Sequence, residues 1–116
     1  MTTTISVEND CVTLINVFTV EPEHQQHLLD VLIEATEQVM CRLPGFISSN
    51  IHRSLDGTRV TNYVQWRSVA DFQAIFDNPE ATAHMHEVGR IARGDKSLYE
   101  VTCICPARPA EPAAVS

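Results

Sequence analysis

The chain has 116 residues, enough for one domain with a real core but too few for a catalytic domain plus a cofactor domain. Hydrophobic residues make up 44% of it and charged residues 20%, as in ordinary soluble globular proteins. The formal charge of −7 argues against nucleic acid or an anionic membrane as a partner. No apolar run is long enough to span a membrane and the N-terminus lacks a signal-peptide pattern, so we expect a cytoplasmic protein.

The predicted domain covers residues 11–105. Residues 1–10 are polar and without periodicity, so we expect a flexible N-terminal arm. Residues 11–20 are β-branched and apolar on both faces, which predicts a strand that is covered on both sides. A helix then opens at Glu21-Pro22-Glu23, carries an apolar stripe at 3.6-residue spacing and ends at Pro44-Gly45.

The middle of the chain predicts a hairpin of two strands. The first of them alternates from Phe46 to Leu55 and places His52 on the same face as Phe46. Asp56-Gly57 is a strong two-residue turn signal, and it leads into a strand from Arg59 to Trp66.

The last third of the chain predicts two helical pieces and a fourth strand. Ser68 is the predicted N-cap of a short helix, and Asn78-Pro79 separates this helix from a second one that is closed by Gly94. Residues 97–105 are predicted to form the fourth strand. The Pro/Ala-rich residues 106–116 are expected to be a flexible tail.

The order of elements is therefore β-α-β-β-α-β, the α+β ferredoxin-like arrangement with an antiparallel sheet. Helices are expected to cover one sheet face. The other face is predicted to carry an apolar row, which we expect a second copy of the chain to cover: Thr13, Ile15, Val17, Tyr63 and Val101.

Two asparagines interrupt apolar rows of the predicted sheet. Asn16 shares a strand face with Leu14 and Phe18, and Asn62 shares one with Val64 and Trp66, the only tryptophan. Burying an unpaired amide costs roughly 1–3 kcal/mol, so each amide needs an explanation. Either both are hydrogen-bonded inside the core, or both point at a bound molecule.

Several segments together resemble the antibiotic biosynthesis monooxygenase family over roughly residues 11–103. They are Val12 to Val20, Leu43-Pro-Gly-Phe46, His52 to Thr58, Asn62 to Ser68 and the helix that carries Phe72. The resemblance implies a dimeric α/β barrel, hence a homodimer. Within the family the chain is most similar to the cofactor-free oxygenases that turn anthrone-type polyketides into quinones with O2 as co-substrate. That similarity implies catalytic roles for Asn16, Asn62 and Trp66.

The chemistry suits these residue types. An ionised electron-rich phenol can itself reduce O2, so the protein needs only to orient the substrate, stabilise the anion and exclude water. Four further side chains are predicted to contact the substrate: His52, Phe72, Phe76 and His84. An imidazole can accept a phenol proton near neutral pH, and His84 is preferred over His86 because of its apolar neighbours.

Cofactors and metals find little support in the sequence. It has no GxGxxG or P-loop motif, and its four cysteines include no CxxC pair or zinc-type spacing. Two alternatives stay open. One is a haem-degrading monooxygenase with His84 or His86 as the axial ligand, although the helix Phe72–Phe76 lacks the tryptophan that such relatives use. The other is a non-catalytic dimeric ligand-binding protein with the same fold.

Overall fold

The computed structural model of the chain describes residues 2–109 and contains a four-stranded antiparallel sheet with helices on one face. The strands are β1 (Val12–Thr19), β2 (Phe46–Arg53), β3 (Arg59–Trp66) and β4 (Arg93–Tyr99). Their order across the sheet is β2-β3-β1-β4, so the two central strands are β1 and β3. This open sheet confirms the predicted ferredoxin-like α+β fold. The predicted tail lies partly outside the described residues.

Three helices pack on one side of the sheet. They are α1 (Gln25–Gln38), α2 (Val69–Gln73) and α3 (Pro79–Ile91). Short 3₁₀ turns precede and follow α1 and extend α2, because proline and the turn at Gly45 limit regular helix there. Ser68 caps α2 as predicted, since its Oγ accepts a hydrogen bond from the Asp71 backbone N–H at 3.1 Å. None of these helices is long and apolar enough to cross a membrane.

The prediction for β4 was wrong in position. The strand begins at Arg93 and ends at Tyr99 rather than covering 97–105, because it pairs with β1 from Thr19↔Arg93 to Thr13↔Tyr99. Helix α3 ends at Ile91, so Gly94 lies in β4 and does not close the helix. A Cβ atom on Gly94 would lie 3.1 Å from Phe18 Cε1, so glycine permits the close approach of β4 to β1. Residues 100–109, including the predicted face residue Val101, are outside the sheet.

A β-bulge in β2 overturns a second prediction. Phe46 pairs with Trp66, but the next pairing is Ser48 with Gln65, so one extra residue separates them. The bulge moves Ser48 and His52 to the sheet face away from the helices. His52 therefore does not share a face with Phe46, because the alternation seen in the sequence is broken after the first residue of the strand.

The core consists of two hydrophobic clusters on the helix side of the sheet. The first contains Phe18 of β1 and Val60 of β3, and the second contains Leu14 of β1 and Val64 of β3. On each central strand an asparagine lies between the two clusters. The polar interruption noticed in the sequence thus divides the core in the structure.

The opposite face of the sheet, here called the far face, contacts the N-terminal segment. Thr3 Oγ1 and Ser48 Oγ are 2.6 Å apart, and Gln65 Nε2 donates a 2.8 Å hydrogen bond to the Thr4 carbonyl. Ser48 and Gln65 are buried. Two residues of the segment expected to be an arm therefore hydrogen-bond to the sheet.

Candidate active site

A cavity of about 280 Å³ lies between the helix-covered sheet face and the helices. Its wall takes residues from both core clusters, among them Phe18 and Val88 of the first and Leu14 and Phe72 of the second. The wall is mainly apolar, and a small number of polar groups interrupt it. This is the usual character of a site for a small organic ligand.

Asn16 and Asn62 lie directly opposite each other in the β1–β3 pairing, and both line the cavity. Ser49 Oγ donates a 2.6 Å hydrogen bond to Asn62 Oδ1. With that oxygen occupied, Nδ2 of Asn62 is the group left to donate to a bound molecule. Asn16 Oδ1 is buried and has no hydrogen-bond partner among the described residues. Two facing amides thus supply unused hydrogen-bonding capacity at one place in an apolar cavity.

Trp66 is placed differently from the two asparagines. Its side chain is 1% exposed and belongs to the second core cluster rather than to the cavity wall. Phe46, which does line the cavity, packs edge-to-face against it with ring centroids 5.4 Å apart. The indole Nε1 is buried without a hydrogen-bond partner among the described residues. Trp66 therefore lies behind the Phe46 ring rather than on the cavity wall, and its indole N–H has no acceptor among the described residues.

Three of the four predicted substrate-contacting residues line the same cavity, namely Phe72, Phe76 and His84. The two phenyl rings meet edge-to-face with centroids 5.6 Å apart, so they form one aromatic side of the cavity. His84 Nδ1 lies 3.7 Å from Glu87 Oε2. His52 is not brought to this site, since it is exposed on the far face and contacts the Asn50 carbonyl.

A family model described as "Antibiotic biosynthesis monooxygenase" matches residues 11–87. The chain belongs to the antibiotic biosynthesis monooxygenase family. This match confirms the family that the strand and turn motifs resembled. It also confirms the expectation that the chain is a monooxygenase.

Individual relatives agree with this assignment. The chain is 43% identical over 99 residues to the tetracenomycin-F1 monooxygenase of Streptomyces glaucescens, an alignment that covers 85% of this chain and 88% of that protein. It is similar in structure to a mutant of SnoaB, a cofactor-independent oxygenase from Streptomyces nogalater, with a TM-score of 0.75 and 20% identity over 84% of this chain and 99% of that chain. It is also similar to a monooxygenase from the gene ActVA-Orf6 of Streptomyces coelicolor, solved with nanaomycin D, with a TM-score of 0.73 and 23% identity over 83% and 92% of the two chains.

Two polar cavity residues with a bearing on the chemistry of the site, Ser49 and Lys96, were not predicted from the sequence. Ser49 was not singled out because its partner Asn62 becomes apparent only when the bulged register of β2 is known. Lys96 was missed because the predicted fourth strand began one residue after it. In the structure Lys96 lines the cavity, and its Nζ lies 4.8 Å from the centroid of the Phe76 ring. One signal could have drawn attention to it, since Lys96 is the only lysine in the chain.

The resolved pKa shifts lie away from the cavity. At the start of α2, a hydrogen bond from the Arg67 guanidinium lowers the pKa of the Asp71 carboxyl. In the segment after β4, a hydrogen bond with Cys105 raises the pKa of the Cys103 thiol, whose sulfur is 3.2 Å from the Cys105 sulfur. Within residues 2–109 no three His, Cys, Asp or Glu side chains are grouped so as to hold a metal ion.

Proposed function

We propose that the chain is a cofactor-independent monooxygenase that oxidises an anthrone-like polycyclic phenol to a quinone with O2. The observation that carries this proposal is the pair Asn16 and Asn62, whose unused amide groups face one apolar cavity. Support comes from a relative named for tetracenomycin F1 and from a structural neighbour described as a cofactor-independent oxygenase.

The proposed reaction balances without a cofactor. Loss of a proton turns the anthrone into its phenolate-type anion, and this anion gives one electron to O2. The resulting superoxide combines with the substrate radical at the former methylene carbon, forming a peroxide. After the peroxide is protonated, the O–O bond breaks and the carbon loses its second hydrogen. One oxygen atom stays as the quinone carbonyl and the other leaves as water.

Three cavity residues have proposed roles in these steps. Asn62 Nδ2 donates a hydrogen bond to the substrate oxygen that becomes negatively charged, which stabilises the anion without introducing a competing charge. Asn16 Oδ1 accepts a hydrogen bond from a substrate hydroxyl, which fixes the ring system beside β1. His84, the only histidine on the cavity wall, is the proposed proton acceptor.

The aromatic side of the cavity supports a flat ligand. Phe72 and Phe76 present their rings at right angles to each other, so a fused-ring substrate can stack on one ring and meet the edge of the other. A volume of about 280 Å³ is close to the lower limit of roughly 300 Å³ for small-molecule pockets, which favours a compact ligand of a few rings.

The proposed assembly is a homodimer. Ile15, Val17 and Tyr63 form an apolar row on the far face, and they are only partly buried in the single chain. Covering such a row with a second copy removes apolar surface from water at roughly 25 cal/mol per Å². Sedimentation equilibrium should therefore show a dimer, and a stable monomer at micromolar concentration would contradict this part of the proposal.

The test of activity uses dithranol, a promiscuous anthrone, with purified protein and O2. We expect formation of its quinone and consumption of one O2 per molecule, with no added flavin and no inhibition by EDTA. A requirement for flavin or metal would contradict the mechanism. A Soret band and turnover after addition of haem would favour the haem alternative, and saturable binding without turnover would favour a non-catalytic binding protein.

A further inference from the structure

A single positive charge lies at the wall of the proposed substrate cavity of an acidic protein. Lys96 lines the cavity, and among residues 2–109 no aspartate or glutamate does so. The chain as a whole carries a formal charge of −7. Acidic side chains outnumber basic ones in the chain, yet the only fixed charge among the described residues of this wall is the Lys96 ammonium.

The position of Lys96 is set by the sheet. It pairs with Asn16 in the β1–β4 register, so both side chains lie on the helix-covered face. Its Nζ lies 4.8 Å from the centroid of the Phe76 ring, a distance at which the ring face attracts a cation. Lys96 is exposed, its ammonium lies above one aromatic ring of the cavity, and its backbone pairs with that of Asn16. No salt bridge occupies it among the described residues.

We propose that Lys96 binds an anionic oxygen of the ligand, so that the cavity selects polycyclic phenols that carry an ionised acidic group. This assignment rests on the proposed function and names the substrate class of the same site. The negative oxygen belongs either to a carboxylate on the ring system or to an ionised phenol. Both would meet the ammonium at the cavity wall, while the neutral part of the ligand lies against Phe76 and the asparagines.

A matched pair of quinones tests the proposal through binding alone. Rhein and danthron share the 1,8-dihydroxyanthraquinone skeleton, and rhein adds one carboxylate. Quenching of the single tryptophan reports the dissociation constant of each. The variants are Lys96→Met, which keeps the aliphatic stem, and Lys96→Arg, which keeps the charge. Arg93→Met is the control, since it removes one positive charge from the same strand but on the opposite face.

For a carboxylate ligand, we expect Lys96→Met to weaken rhein binding by about 5- to 30-fold relative to danthron, as for loss of a charge-assisted hydrogen bond. Lys96→Arg and Arg93→Met should leave the ratio of the two constants near its wild-type value. For a phenolate ligand, the phenol pKa of bound danthron, read from its visible absorbance, should be lower in wild type than in Lys96→Met. Either result supports the anion site, and the two arms identify the source of the charge.

The proposal is overturned if Lys96→Met matches Arg93→Met both in the rhein-to-danthron ratio and in the phenol pKa of bound danthron. Thermal melting of all variants confirms that they remain folded. Failure of the two proposals can be told apart. Wild type that oxidises dithranol but shows no dependence on Lys96 removes the anion site alone. Charge-dependent rhein binding without turnover of any anthrone removes the oxygenase function and leaves the anion site.

Discussion

The two faces of the sheet both bury polar side chains, but they treat them differently. On the far face, Ser48 and Gln65 are hydrogen-bonded to Thr3 and Thr4 of the N-terminal segment. On the helix-covered face, Asn16 Oδ1 and Trp66 Nε1 are buried with no partner among the described residues. Since an unpaired buried polar group costs roughly 1–3 kcal/mol, the unpaired groups call for a reason other than stability.

This difference in hydrogen bonding distinguishes the polar groups proposed to stabilise the fold from those proposed to bind a ligand. A paired polar group fixes the structure around it, whereas an unpaired one at a cavity has its hydrogen bond available for a ligand. The same residue types can serve either purpose, so identity and burial alone do not distinguish them. On this basis we propose that the polar side chains of the far face stabilise the fold and that the unpaired ones of the helix-covered face bind a ligand.

Replacing Asn62 should produce the largest effect. Asn62→Ala removes the donor proposed for the substrate anion, and loss of such a donor lowers turnover by about 10- to 1000-fold. Steady-state kinetics with dithranol measure this change, and thermal melting should show only a small shift. A large loss of stability with unchanged turnover in the folded fraction would instead assign Asn62 to the scaffold.

Gln65 provides the opposite case on the far face. Gln65→Ala breaks its hydrogen bond to the Thr4 carbonyl and empties a position that is 2% exposed. We expect the free energy of unfolding, from urea denaturation, to fall by about 1–3 kcal/mol. Turnover per folded molecule should remain near the wild-type value. A Gln65→Ala variant with wild-type stability but reduced turnover would contradict the structural role proposed for the far face.

Trp66 tests whether the group behind the wall takes part in function. Trp66→Phe keeps an aromatic ring against Phe46 but removes the unpaired indole N–H. The smaller ring loses packing volume, which destabilises the fold, but the cost of burying an unpaired N–H is also removed. Because these two effects oppose each other, we expect the free energy of unfolding to change by less than about 1 kcal/mol. If the N–H serves the ligand, turnover should fall by about 10-fold, corresponding to 1.4 kcal/mol. Unchanged kinetics would make Trp66 a core residue.

The smallest effect is expected at Asp56, which belongs to neither face. Hydrogen bonds from Thr58 and Ser54 lower the pKa of its carboxyl from 3.8 to about 2. A depressed folded-state pKa means that the carboxylate stabilises the fold above pH 3.8 and that this contribution is lost as the pH falls toward 2. Urea denaturation of wild type and Asp56→Asn should therefore differ at neutral pH and converge in this acid range. A constant difference would contradict the assigned pKa.

The sequence predicted the fold and the face of the two asparagines because both depend on local signals. Period-two alternation in β1 and β3 fixes which side chains share a face, and proline and glycine mark the turns. Strand β4 was misplaced because residues 97–105 have the stronger strand composition, yet pairing with β1 selects Arg93–Tyr99. Because the predicted strand began at residue 97, Lys96 was not recognised as a residue of the sheet.

The remaining errors concern contacts that no local pattern encodes. The extra residue of the bulge in β2 is Ile47, which is neither glycine nor proline, and the bulge moves His52 to the far face. Likewise, nothing in the residues around Gln65 indicates that Thr4 supplies its partner. Whether a buried amide is paired depends on segments that are distant in the chain. The different hydrogen bonding of the two faces is therefore visible only in the structure.

The most direct test of this account records the side-chain amide signals of Asn16, Asn62 and Gln65 in one ¹⁵N–¹H spectrum during titration with danthron. We expect the Asn16 and Asn62 signals to shift and saturate with the dissociation constant obtained from tryptophan quenching. The Gln65 signals should stay in place, because that amide is already bonded within the chain. Saturable danthron binding that moves Gln65 and leaves both asparagines unchanged would contradict the assignment of the helix-covered face as the ligand site.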